Sequence, residues 1–332
     1  MCAMIVPDLL SAWPIDGPWI VRPVVSGGNN LSYPVAAPDG HYVLRIYQNT
    51  ADPERVRYEH ALLTRLERIG LSFSVPAPIP TRAGATLLPV AADGEQLLAA
   101  LFPLIPGQHP YDATLARWRV CGAALAELDR ALGGVTIPAP RGMPLPFGQL
   151  SEIHAAVPAP LEIAGLLPLE REERAQAARI VGDLMATAPA LYSSLPRQIV
   201  HRDFDASNIL MEGGRVTGVL DFEFAGPDLR ALDLARSLSQ FTVSPWSSPE
   251  GWSWVTAFVT GYRERAALMP GEIDALPDMM RLCRAMSLVH REGRRRQGLA
   301  AKADVLARAR ALLMQEEWLG DRQEDLLQLL RG

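Results

Sequence analysis

The chain is 332 residues long with a formal net charge of −5 at pH 7, too long for one compact core and too acidic for a nucleic-acid binder. Hydrophobic residues at 48% and charged residues at 21% are the balance of a soluble globular protein, and no apolar run is long enough to span a bilayer. The three cysteines, Cys2, Cys121 and Cys283, lie far apart without a C-x-x-C pair, which supports neither a disulfide framework nor a zinc site and sets a reduced, cytoplasmic protein as the expectation.

Met1 to Trp13 is mildly apolar, but it lacks a basic stretch and carries Asp8, so it does not read as a signal peptide. The first hundred residues predict strands and one helix. Val21 to Val25 ends in the turn Ser26-Gly27-Gly28-Asn29-Asn30. Leu31 to Ala36 and Tyr42 to Tyr47 flank Pro38-Asp39-Gly40, which predicts a hairpin. A helix is predicted from about Glu54 to Ile69, opened by Asp52-Pro53 and stopped by Gly70. Thr86 to Val90 and Leu97 to Ile105 predict two more strands joined at Asp93-Gly94. Pro106-Gly107 then divides the chain into an N-terminal lobe, 1–105, and a mostly helical C-terminal lobe, 106–332. In the latter, helices are predicted over Thr114–Leu132, Glu170–Ala188, Leu229–Phe241, Trp252–Leu268, Leu276–Arg295 and Ala301–Leu330. One β interruption is predicted, within Ile199–Leu220. The Arg294-Arg295-Arg296 run reads as a solvated helix end, with a polyanion site as the alternative.

The chemistry is concentrated in 199–233. His201-Arg202-Asp203 is followed by Asn208, then by strand-like Asn208–Met211 and Val216–Leu220 around Gly213-Gly214, then by Asp221-Phe222-Glu223. A hairpin at this place returns the chain on itself and brings Asn208 and Asp221 close. Phosphoryl transfer needs a carboxylate to orient the attacking hydroxyl and accept its proton. It also needs hard oxygen donors for Mg²⁺, which otherwise keeps water and phosphate. Asp203 supplies the first, and Asn208 with Asp221 supplies the second.

This segment resembles the catalytic loop and metal-binding strand of the protein-kinase-like fold, and within it the aminoglycoside phosphotransferase and choline kinase family, which includes type II homoserine kinases. The resemblance implies an α+β fold with a small antiparallel-sheet lobe carrying one main helix and a larger helical lobe. It implies Asp203 as catalytic base, Asn208 and Asp221 as Mg²⁺ ligands, and ATP or GTP as co-substrate. His201 and Asp233, the latter in Asp233-Leu234-Ala235, are expected to support the loop. Ser26, Gly27, Gly28, Asn29 and Asn30 stand where the family covers the phosphates, a bare turn being the alternative. Arg45 stands where lysine is usual, with Glu59 as its ion-pair partner. Lys302 is the only lysine in the chain, so no lysine competes for that role. Arginine keeps the charge and widens the geometry. A solvated strand residue remains the alternative for Arg45, and a simple surface residue for Glu59. In the Leu101–Gly107 hinge, the Pro103 C=O and the Ile105 N–H align with the groups that bind adenine.

His-Arg-Asp is the spelling of protein kinases, where the arginine usually serves an activation loop. Only eleven residues separate Asp221 from Asp233, too few for such a segment, and no A-P-E follows. A small hydroxyl compound is therefore the expected acceptor: an amino alcohol, homoserine, a sugar or an aminoglycoside. Asp203, Asp205, Glu223 and Asp228 suggest an acidic cleft suited to an amine-bearing acceptor, with Asp205 and Glu223 as substrate contacts. His290 reads as a core or surface residue, a substrate contact being the alternative. A catalytically silent nucleotide-binding module is the alternative to an active kinase, although no essential group is missing.

Overall fold

A computed structural model describes residues 9–23, 25–26, 30–48, 52–92, 95–112, 114–243 and 251–332. The fold is α+β, with an antiparallel sheet and one main helix followed by a mostly helical remainder. It divides into two compact units, and neither is a continuous stretch of chain. One comprises Met1–His109, Val135–Met143 and Ile209–Glu223; the other comprises Pro110–Gly134, Pro144–Asn208 and Phe224–Gly332.

In the first unit the strands are β1 (Ile20–Val21), β2 (Val25–Ser26), β3 (Asn30–Ala37), β4 (Gly40–Tyr47), β5 (Leu88–Ala92) and β6 (Glu95–Pro103). Their order is β1-β3-β4-β6-β5, with β2 also on β3, and every pairing is antiparallel. The β3–β4 hairpin closes at Ala37 opposite Gly40, leaving Pro38 and Asp39 as the turn, the chemistry such a turn favours. Leu44 and Ile46 of β4 point into the core with Tyr33, Val35, Val90, Ala99 and Leu101. Leu10, Trp13 and Ile15 complete that cluster, and the Trp13 indole N–H donates to the Ile79 carbonyl at 2.9 Å.

Helix α1 (Pro53–Ile69) starts where Asp52 accepts from the Glu54 N–H and Pro sits in the first turn; it ends at Gly70, whose φ of 75° is left-handed. It buries Val56, Leu62, Leu63 and Leu66, and also Glu59 and His60. The same unit takes in the hairpin of β8 (Ile209–Glu212) and β9 (Arg215–Val219), β7 being a strand of the second unit given below. Gly213 and Gly214, with φ of 56° and 80°, make its two-residue turn. Ser74 bonds to Thr217 and Val219, and Gln108 exchanges two backbone bonds with Met211.

The second unit contains α2 (Leu115–Gly133), α3 (Arg171–Ser194), the β7 strand (Arg197–Val200) paired with β10 (Gly226–Leu229), α4 (Leu232–Ser239), α5 (Gly251–Arg263), α6 (Pro270–Arg296) and α7 (Lys302–Arg331). Leu150, Val157, Ile163 and Leu167 pack with Ile180 and Leu184 of α3, Leu282 and Leu288 of α6 and Val305 and Leu312 of α7. Trp118 of α2 meets Phe241 edge-on at 5.0 Å, and Phe258 of α5 joins them.

Four expectations change. The helix expected to run to Leu268 ends at Arg263. Residues 226–229 are a strand, so the helix expected from Leu229 starts at Leu232. Helix α3 continues through the exposed Pro189 to Ser194. Helix α6 starts at Pro270 and accommodates Pro277 in its first two turns, whereas the expected start was Leu276. Among the described residues no helix is long and apolar enough to cross a membrane.

Candidate active site

In the second unit, β7 delivers the chain into the loop that carries Asp203. Two backbone N–H groups at the turn, those of His201 and Arg202, donate to the two oxygens of Asp233 at 2.6 Å each. His201 and Asp233 are both fully buried. The His201 Nδ1 accepts from the Asp203 N–H at 3.1 Å. Burial raises the Asp233 pKa, and His201 with the two backbone donors works against that rise. Asp129 of α2 lies behind it: burial and then the Asp233 charge push its carboxyl well above the usual range, and Tyr262 of α5 donates to it at 3.0 Å.

Asp203 is fixed from two sides. The Asn208 Nδ2 donates to the Asp203 carbonyl at 2.9 Å and to its Oδ2 at 3.0 Å, which leaves the Asn208 amide oxygen as the acceptor of that side chain. Arg236 of α4 bridges the Asp203 Oδ1 and the Asp205 Oδ2, both at 2.7 Å. Burial opposes the charge on Arg236, but the two carboxylates raise its pKa. Burial likewise opposes the Asp205 carboxylate, yet Arg236 and the Ser207 hydrogen bonds hold its pKa below the usual value.

Arg202 is 1% exposed and carries a left-handed φ of 68°. It pairs with the fully buried Asp228 at 3.1 Å and donates to the carbonyls of Pro144 and Pro227. Asp228 also accepts from the Phe147 N–H and from the Tyr192 hydroxyl. Arg202 thus ties the turn that precedes Asp203 to strand β10. His290 of α6 stands edge-on between Phe224 and His154, and Arg295 and Arg296 pair with Glu292.

In the first unit, Arg45 of β4 pairs with Glu59 of α1 at 3.4 Å and lies 5.3 Å from the Phe102 ring centroid. Neither residue is on the surface: their side chains are 16% and 6% exposed. Burial opposes the charge on Arg45, while Tyr47, Glu59, Asp221 and Glu223 raise its pKa. Burial pushes Glu59 up to about 7 against the pull of Arg45, and Asp221 and Glu223 add to the rise. Three carboxylates thus stand within electrostatic reach of one guanidinium. This surplus negative charge, on hard oxygen atoms, fits a divalent cation that also keeps phosphate and water ligands. Among the described residues no group of three or more His, Cys, Asp or Glu is arranged to hold a metal alone.

Asp221 has a left-handed φ of 64°, and it and Arg202 are the two non-glycine residues so placed among those described. Such backbone costs about 1 kcal/mol or more and gathers at functional sites. Glu223 accepts from the Asn30 Nδ2 at 3.0 Å, and the Asn30 Oδ1 accepts from the Gln48 N–H at 3.3 Å. Gly27, Gly28 and Asn29 lie outside the described residues; Ser26 ends β2. Pro103 closes β6 opposite Tyr42, and the Ile105 side chain packs on Gly218 of β9.

The carboxylates expected to line an acidic cleft are therefore engaged. Asp203 and Asp205 share Arg236, Asp228 is buried among donors, and Glu223 holds Asn30. Arg236 and Asp129 carry no motif spacing that marks them; the i+3 step from Asp233 to Arg236 on one helix is the only sequence hint of the former.

The model of the phosphotransferase enzyme family matches residues 20–272. A homoserine kinase of Caulobacter sp. (strain K31) is 30% identical over 263 residues, covering 78% of this chain and 76% of that one. Among solved structures, a microcompartment-associated aminopropanol kinase superposes with a TM-score of 0.75 at 21% identity, covering 98% of this chain and 99% of that one. An amicoumacin kinase, in complex with AMP-PNP, Ca²⁺ and Ami, superposes at 0.70 and 14% identity over 95% and 93% of the two chains. The two structural likenesses speak for the fold alone.

Proposed function

This chain belongs to the phosphotransferase enzyme family, and from that premise we propose that it moves the γ-phosphoryl group of ATP or GTP onto a hydroxyl of a small molecule, with Asp203 as the base. The carrying observation is the double fixation of Asp203 by Asn208 and Arg236. Positioning contributes much of the catalysis when little covalent chemistry falls to the protein. In this reading Asp203 orients the acceptor hydroxyl and takes its proton as the oxygen attacks phosphorus and the bond to the nucleoside diphosphate breaks. Arg236 holds the carboxylate in place.

Asn208 and Asp221 are the proposed oxygen donors to Mg²⁺, which when bound neutralises charge on the phosphates. Arg45, held by Glu59, is the proposed phosphate cation. Ser26, Gly27, Gly28, Asn29 and Asn30 are proposed to cover the phosphates, and Pro103 and Ile105 to meet the base. The acceptors named for the relatives are an amino acid with a primary hydroxyl and an amino alcohol; both belong to the class proposed here.

The test is phosphoryl transfer over a panel of hydroxyl acceptors by the native chain and by Asp203→Asn. The variant is expected to lose kcat by about 10²- to 10⁴-fold while its nucleotide affinity stays close to native. Undiminished turnover would remove Asp203 from the base role. Nucleotide binding without transfer to any acceptor would mark a silent module.

A further inference from the structure

The second unit carries a group of arginines that the catalytic loop does not fully use. Arg284 and Arg291 lie seven residues apart on α6, two turns along one face and about 10 Å in rise. Arg308 faces them from α7, which packs on α6 through Leu282, Leu288, Val305 and Leu312. Arg284 is 7% exposed and binds no carboxylate; it donates to the Ser239 carbonyl, the Gln315 Oε1 and the Thr242 hydroxyl. Arg291 and Arg308 form no ion pair with any described residue. Together with Ala307 and Asp304 they line a recess of about 120 Å³, room for about four waters. Asp304 accepts from the Ala301 N–H at the start of α7 and pairs with neither arginine.

These guanidinium groups press on one another. Burial lowers the pKa of Arg308, and Arg291 and Arg236 lower it further, while Asp203 and Asp205 oppose the shift. Burial likewise brings Arg284 down to about 9, with Arg236 and Arg308 adding to the fall. Arg308 is thus within electrostatic reach of both the Asp203–Asp205 pair and the two α6 arginines. A partly buried group of like charges in a recess is complementary to an anion, and the planar guanidinium matches a carboxylate.

We propose that Arg308 and Arg291 bind the carboxylate of the phosphate acceptor, so that the enzyme selects hydroxy acids or hydroxy amino acids over amino alcohols, sugars and aminoglycosides. The proposal rests on the kinase reading above and narrows its acceptor class. It also accounts for the engaged state of the acidic residues: what the neighbourhood of Asp203 offers an acceptor in excess is positive charge.

The experiment uses matched probes that differ by the carboxylate: L-homoserine against 3-aminopropan-1-ol, L-serine against ethanolamine, and 4-hydroxybutyrate against propan-1-ol. Calorimetric binding and phosphoryl transfer are measured for the native chain, Arg308→Gln and Arg291→Gln, with nucleotide present. The native chain is expected to prefer the carboxylate member of at least one pair by about tenfold or more, and each variant to reduce that preference by about tenfold. The KM for nucleotide is the readout that separates acceptor recognition from a general structural loss, and it is expected to hold. Equal binding within all three pairs, binding of no carboxylate probe, or an undiminished preference in both variants overturns the proposal. Binding with the expected preference but without transfer of phosphate supports the subsite and overturns the kinase reading instead.

Discussion

At the scale of single residues, the neighbours Glu59 and His60 oppose each other. Burial lifts Glu59 to about 7, so from about pH 4.5 to 7 the folded chain holds a proton the unfolded chain has lost, and stability falls as pH rises. Burial and then the Arg45 charge push His60 down to about 3, where its neutral ring bridges the Tyr47 hydroxyl at 3.0 Å and Thr86 at 2.9 Å. The unfolded chain therefore takes up a proton that the folded chain refuses, and stability falls as pH drops below about 6.5. Each slope approaches about 1.4 kcal/mol per pH unit, with opposite sign. Glu59→Gln is expected to steepen the loss of stability on acidification from pH 6.5 to 5 by about 1 kcal/mol per unit. His60→Gln is expected to shift the slope the other way. Urea midpoints at the two pH values decide the matter, and parallel profiles for all three proteins would refute it. Asp203, Asn208 and Asp221 could be singled out because their spacing is a motif. Arg236, Asp129 and the Asn30–Glu223 contact could not, since folding alone sets the distance between side chains that far apart in the chain.

At the scale of elements, glycines set how closely helices approach. A Cβ at Gly122 of α2 would overlap the Phe258 carbonyl, and one at Gly261 of α5 would overlap the Arg119 carbonyl. Neither backbone can yield without separating the two helices. Gly122→Ala and Gly261→Ala are each expected to cost about 3 kcal/mol despite the better helix propensity of alanine. Gly320 of α7 meets nothing within 4 Å, and there the same change is expected to stabilise by about 0.5–1 kcal/mol. Thermal melts of the three variants check the contrast; equal effects would refute it. Helix ends were legible at Asp52 and Gly70 of α1 and at Thr114 of α2, but not at the start of α6, although Pro270 and Glu272 mark it. Strand β10 was not, because Gly-Pro-Asp-Leu reads as a turn and becomes a strand only by pairing with β7.

At the scale of the whole molecule, the chain passes between its two units at 109/110, 134/135, 143/144, 208/209 and 223/224. A local reading finds Pro106-Gly107 as punctuation. It does not find the bonds that Ser74 and Gln108 make to the β8–β9 hairpin more than a hundred residues away. Ligand binding is read globally as well. Saturating nucleotide with Mg²⁺ is expected to raise stability by about 2.7 kcal/mol at a hundredfold excess over Kd. Asp221→Ala or excess EDTA is expected to remove most of the gain. A melting temperature that responds to nucleotide equally with and without the metal would count against Asp221 as its ligand.

Arg45 has one last consequence, for chemical probes. Reagents that report nucleotide occupancy by acylating an amine have only Lys302 to find among the side chains, exposed in the first turn of α7. Such labelling would leave the Arg45–Glu59 pair untouched whether nucleotide is present or absent. A dicarbonyl that condenses with guanidinium groups is the reagent suited to this chain.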